Sequence, residues 1–205
     1  MKTRKTLRYM KLRTFMSVMT VLCVNFAHAQ SGFEGVVTYN TTNASINEKA
    51  TVTWYHKDGE NRMDVNSHAG NQINQYSMIM GTHDNSVFMI SDRGAQKISG
   101  INPDESMNSA TFIRKANTTE AGYNCEMLMF KTNGNDLTYW LTDEVGMTYE
   151  NLPKIVRNNM PELNGMSNGF TVKMELRDAG GNLLMSQVVE SVKTMLINDS
   201  RFERK

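Results

Sequence analysis

The chain has 205 residues, a formal net charge of +1 and 40% hydrophobic residues. Residues 1–29 carry six Lys/Arg and no acid, which leaves 16 bases against 21 acids, net −5, in residues 30–205. A nucleic-acid face built on bulk charge is thereby excluded, and 14 Gly, 3 Pro and 2 Cys exclude collagen-like and disulfide-dense scaffolds.

The first element is an export signal. Lys2 to Arg13 is basic, Thr14 to Phe26 is an apolar run of 13 residues, and Ala27-His28-Ala29 is an A-x-A site. Cleavage is expected before Gln30. An uncleaved anchor is the competing reading, but the run is shorter than the ~20 residues a span needs. Leu22 before Cys23 does not fit a lipobox, so Cys23 is expected to leave with the signal. Cys125 then remains as a single mature cysteine, without a disulfide partner. It sits in an apolar run and reads as a small buried hydrophobe. Residues 30–205 suit one β-rich domain.

About ten strands follow from alternation and turn signals. They are expected over Phe33–Asn40, Ala50–Lys57, Asn61–Val65, Gln75–Met80, Ser86–Ser91, Ala95–Ser99, Tyr123–Lys131, Leu137–Thr142, Phe170–Arg177 and Asn182–Lys193. Asp58-Gly59 and Asn133-Gly134 are hairpin dipeptides. Two helices are expected, over Pro103–Ala116 and Glu150–Asn158, the second with Leu152, Ile155 and Val156 at helical spacing. The fold class predicted is mainly β, with antiparallel strands.

Chemical motifs are sparse. Gly165-Met166-Ser167-Asn168-Gly169 matches G-x-S-x-G in letters, but that elbow needs a strand before it and a helix after it. Here the order is reversed, and His56, His68 and His83 all lie upstream of Ser167. The three histidines have no metal spacing. The scattered carboxylates form no pair on one element. Thirteen methionines lie beyond residue 29, including the pairs Met78/Met80 and Met127/Met129. In a strand each pair shares a face, and thioethers suit Cu(I). Apolar packing and adaptable binding surfaces are the commoner use of methionine. Neither catalytic residues, metal ligands nor a cofactor are assigned.

The order of motifs is informative. Phe33-Glu34-Gly35-Val36-Val37-Thr38-Tyr39 follows the signal. Tyr55-His56-Lys57-Asp58-Gly59-Glu60-Asn61-Arg62-Met63-Asp64 comes next, then Gly122-Tyr123-Asn124-Cys125-Glu126 and Tyr139-Trp140-Leu141-Thr142-Asp143. A hairpin from Met174-Glu175-Leu176 through Asp178 to Gly180-Gly181-Asn182 closes the series. Over nearly the whole mature chain this resembles the exported family called domain of unknown function 4412, although Asn124 stands where a Lys is expected. That family is similar to the lipoprotein-carrier (LolA/LolB-like) superfamily. The resemblance implies a curved antiparallel sheet forming an incomplete barrel, with helices plugging the open side and an apolar concave face that holds acyl chains. On that reading Trp54, Met78, Met80, Phe88, Met127, Met129 and Trp140 line a ligand cavity.

The function expected is non-enzymatic: binding or carrying a lipid or lipoprotein acyl chain in the envelope of a Gram-negative bacterium, periplasmic or outer-membrane-associated. No nucleic-acid partner and no transmembrane segment after signal cleavage are expected. An envelope scaffold with a filled core and a copper handler are the alternatives. Arg62, just after the Asp58-Gly59 turn, is expected to pair with a neighbouring carboxylate.

Overall fold

A computed structural model describes residues 33–98, 110–158, 160–161 and 169–204. The expected signal segment lies outside them, as do residues 165–168 of the G-x-S-x-G stretch. Eleven strands form one antiparallel sheet. In chain order they are β1 (Gly35–Asn43), β2 (Glu48–Lys57), β3 (Glu60–Ala69), β4 (Gln72–Gly81), β5 (Val87–Ser91), β6 (Gly94–Lys97), β7 (Thr111–Glu120), β8 (Tyr123–Thr132), β9 (Asn135–Thr142), β10 (Phe170–Arg177) and β11 (Leu183–Thr194). Their spatial order is β6-β5-β4-β3-β2-β1-β11-β10-β9-β8-β7. The first and last strands therefore pair at the centre, and the two edges are consecutive in sequence. The sheet is open, as expected of an incomplete barrel.

Tight turns drive the meander. Asp58 and Gly59 have φ of 48° and 78°, and Asn133 and Gly134 have φ of 49° and 81°. Positive φ at both central residues matches the twist of the flanking strands, which is why these dipeptides close hairpins. Curvature is unevenly distributed. The ladders from β1 to β6 run without a register break. Breaks occur between β1 and β11, β11 and β10, β10 and β9, and β7 and β8. Each extra residue bends its strand and increases local twist, so bending is concentrated on this side of the sheet. Tyr39 of β1 reaches past β11 and donates to the Thr171 carbonyl on β10 at 3.1 Å.

Gly35 is needed where β1 meets β11. A Cβ there would lie 2.3 Å from the Lys193 carbonyl oxygen and 2.8 Å from the Phe33 ring. We expect Gly35→Ala to cost about 1–3 kcal/mol through overpacking. Urea unfolding checks this, and an unchanged midpoint would contradict it.

Two expected helices come out differently. Residues 99–109 are outside the description, but Thr111–Ala116 belongs to β7, not to a helix. Thr111, Phe112 and Ile113 favour a pleated surface, and the Ala121-Gly122 turn, with φ of 49° and 87°, folds β7 back along β8. The second expected helix is broken. A 3-10 turn spans Tyr149–Asn151, and a single α-turn, α1, spans Lys154–Arg157. Pro153 separates them by pushing Leu152 into an extended conformation, ψ 148°.

The convex face of β2–β5 is covered by residues 195–204. Phe202 and Ile197 are buried there. Lys57 Nζ donates to the Ile197 carbonyl at 2.9 Å and pairs with Asp199 at 2.7 Å. Arg62 pairs with Asp64 at 2.7 Å, as expected, and also donates to the Arg201 carbonyl at 3.0 Å. Its guanidinium is thus occupied in holding this segment down.

Candidate functional site

The concave face encloses a cavity of about 410 Å³. Its walls come from both halves of the sheet. Trp54, Met63, Met78, Met80 and Val87 contribute from β2–β5, and Tyr39 from β1. Leu137 and Tyr139 of β9, Met174 and Leu176 of β10, and Met185 and Gln187 of β11 face them. Leu152, Ile155, Val156 and Met160, on and around α1, close one side.

Register explains the arrangement, because residues directly opposite share a face. Trp54 stands opposite Val37 and Met63, and Met63 opposite Met78. Met80 stands opposite Asn61 and Val87. Tyr139 stands opposite Met174 and Leu128.

The same register separates the residues expected to line the cavity. Trp54, Met78 and Met80 do line it. Phe88, Met127, Met129 and Trp140 are not among its lining residues. Phe88 is opposite Ile79 on the convex face, with the Arg204 guanidinium 4.4 Å from its ring centroid. Met127 is opposite Trp140, and Trp140 is opposite Lys173. The Lys173 ammonium lies 4.6 Å from the Trp140 ring centroid, a cation–π contact. The alternate residues of β8, Leu128 and Phe130, point inward and are fully buried. An M-x-M spacing fixes that two side chains share a face but not which face, and β8 is apolar on both. Met63, Met174 and Met185 were missed because each is a single methionine in a strand of mixed polarity. The pairings Met63↔Met78 and Leu176↔Met185 identify them only after strands are matched.

A polar hub lies beneath the cavity. Asn61 is completely buried. Its Oδ1 accepts from Trp54 Nε1 at 3.0 Å and lies 2.9 Å from His56 Nδ1. Its Nδ2 donates to Thr82 Oγ1 at 2.8 Å and to the Asn151 carbonyl at 3.5 Å. Indole N–H can only donate, which fixes the amide orientation and so requires His56 to donate from Nδ1. Arg157 of α1 donates to the Thr82 carbonyl at 2.8 Å. The hub thus ties the segment that closes the cavity to the β4–β5 turn.

Burial lowers the pKa of His56 below its ordinary value, against the opposing hydrogen bond it donates to Asn61 and the charge of Asp58. The folded protein therefore binds this proton less readily than the unfolded chain. Its contribution to stability is present above the unfolded value of about 6.5 and is lost as pH falls below it. Urea unfolding at pH 7.5 and 5.5 should give the lower free energy at pH 5.5, and equal values would contradict the assignment. Among the described residues, no group of three or more His, Cys, Asp or Glu is placed to hold a metal ion. Cys125 is buried, and burial raises its thiol pKa.

Residues 33–204 match the family described as domain of unknown function 4412, and the chain belongs to that family. Among solved structures it is similar to a chain of the MucA/MucB complex of Pseudomonas aeruginosa, at 12% identity and a TM-score of 0.52. That alignment covers 86% of this chain and 57% of the other, so the chain spans little more than half of that relative. It is also similar to an uncharacterized conserved protein from Thermus thermophilus, at 9% identity and a TM-score of 0.52, covering 92% of this chain and 94% of that one. No curated protein matches. Among the described residues no helix is long and apolar enough to cross a membrane.

Proposed function

We propose that the chain is an exported, non-enzymatic envelope protein that binds an apolar ligand, a lipid or lipoprotein acyl chain, inside the half-barrel. The observation that carries this reading is the cavity of about 410 Å³, within the ~300–1,000 Å³ of small-molecule sites. Of its lining side chains none is Asp, Glu, Lys or Arg, and six are methionines that adapt to variable chains. The n-, h- and c-region pattern of residues 1–29 supports export, with Gln30 as the mature N-terminus.

The test is native mass spectrometry of the mature protein, followed by lipid extraction. The reading expects a bound, extractable acyl lipid, and a blue shift of Trp54 fluorescence when lipid-free protein is reloaded. A well-folded protein that neither retains nor takes up any lipid would leave the filled-core scaffold in its place. Edman sequencing checks export: Met1 retained on protein recovered from the envelope would refute it.

A further inference from the structure

One rung of the cavity wall carries polar side chains. Tyr139 of β9 stands opposite Met174 of β10, and Met174 stands opposite Gln187 of β11. All three line the cavity. Neighbouring strands lie ~4.8 Å apart, so Tyr139 and Gln187 flank Met174 with their backbones about 10 Å from each other. Tyr139 is 5% exposed, and its ring is set edge-on to Phe130 with centroids 6.3 Å apart. Among the described residues, neither its hydroxyl nor the Gln187 side-chain amide meets a hydrogen-bond partner. A buried hydroxyl is ordinarily paired, because leaving it unpaired forfeits its hydration without return. Two other polar side chains of the wall are committed: the Tyr39 hydroxyl to the Thr171 carbonyl and the Trp54 indole to Asn61. Burial raises the pKa of Tyr139, so its hydroxyl remains a neutral donor.

We propose that Tyr139 and Gln187 form a subsite for the secondary amide of an N-acylated ligand, which rests on the apolar-ligand reading above. A trans amide presents its carbonyl oxygen and its N–H on opposite sides, and the rung presents its two partners on opposite sides of Met174. The Tyr139 O–H donates to the ligand carbonyl, and the Gln187 side-chain carbonyl accepts from the ligand N–H. The hydrocarbon tail lies among the methionines. An ester has no N–H and satisfies Tyr139 alone. A carboxylate would lose its hydration with no Lys or Arg of the wall to compensate. The subsite therefore selects N-acyl amides over acyl esters and over free fatty acids.

Four probes separate these cases: N-methylpalmitamide, methyl palmitate, palmitate at pH 8 and hexadecane, each delivered from cyclodextrin and read by native mass spectrometry. Wild type is expected to hold N-methylpalmitamide more tightly than methyl palmitate, and palmitate least of the three. Tyr139→Phe keeps the ring and removes the hydroxyl; Gln187→Leu removes the side-chain amide. Tyr139→Phe should weaken the amide and the ester alike, by about fivefold, the size of one net hydrogen bond. Gln187→Leu should weaken the amide by about fivefold and the ester not at all. Hexadecane affinity should be unchanged in both variants. Tyr139→Phe should also leave the ligand-free protein as stable as wild type or more so, since it removes an unpartnered polar group. A merely structural hydroxyl would lose stability on substitution. A Gln187→Leu variant that keeps the amide preference, or a wild type that prefers the ester or palmitate, overturns the subsite while leaving the apolar cavity standing. A wild type that binds none of the four overturns both.

Discussion

Replacing Asn61 with Leu is expected to lower the unfolding free energy by about 3–9 kcal/mol, because three buried groups lose their partner at once and each such loss costs about 1–3 kcal/mol. The Trp54 indole N–H, the His56 Nδ1–H and the Thr82 hydroxyl all meet this one amide. Leu keeps the branching at Cγ and is the larger side chain, so none of the effect would come from a cavity. A domain is stable by only ~5–15 kcal/mol, and a loss of this size would leave a large unfolded fraction at 37 °C. Asn66, on the same strand but exposed, supplies the contrast: Asn66→Leu should change stability by no more than about 0.5 kcal/mol. Urea titrations of both variants check the pair. Asn61→Leu should also loosen the segment around α1, since the Asn151 carbonyl loses its donor. Faster amide exchange over residues 149–158 would accompany the lower midpoint.

Strand positions were legible because the hairpin dipeptides state their own geometry. Asp58-Gly59 and Asn133-Gly134 both turn where expected, with positive φ. The family motifs lie at structural joints. Tyr39 spans to β10, Gly35 admits the Lys193 carbonyl, and Asn61 holds the hub. What was not legible depends on distance in sequence. The β7 strand was hidden because Thr111–Glu120 gains its ladder from β8, a partner that local helix propensity ignores. The inward or outward sense of Met127/Met129 depends on bulges between strands, which no local pattern reveals. Half of the cavity wall follows from the β9–β11 register, and so could not be named from single strands.

Met80→Asp and Met129→Asp are expected to differ by several kcal/mol although both replace the same residue type in an M-x-M pair. Met80 is buried against Val87 and Trp54. A carboxylate there loses its hydration to thioether and hydrocarbon, at a cost of several kcal/mol. The protein escapes part of that cost by keeping the carboxyl protonated, so its folded pKa rises above the unfolded ~3.9. The destabilisation therefore grows as pH rises from the unfolded pKa towards the folded one. Met80→Asp should lose more stability at pH 8 than at pH 5. Met129, on the other face of the sheet, is half-buried and opposite Arg114 and Thr138. A carboxylate there meets solvent and a cation, and should change stability by no more than about 1 kcal/mol at either pH. Met185 decides what the interior is for. It lines the cavity near the start of β11, half-buried and opposite Leu176 and Asn43. If the space is a ligand site, Met185→Asp keeps the fold, because water reaches the new charge in the empty cavity, and acyl ligand is lost. If the space is filled core, Met185→Asp unfolds the protein as Met80→Asp does, and no ligand was there to lose.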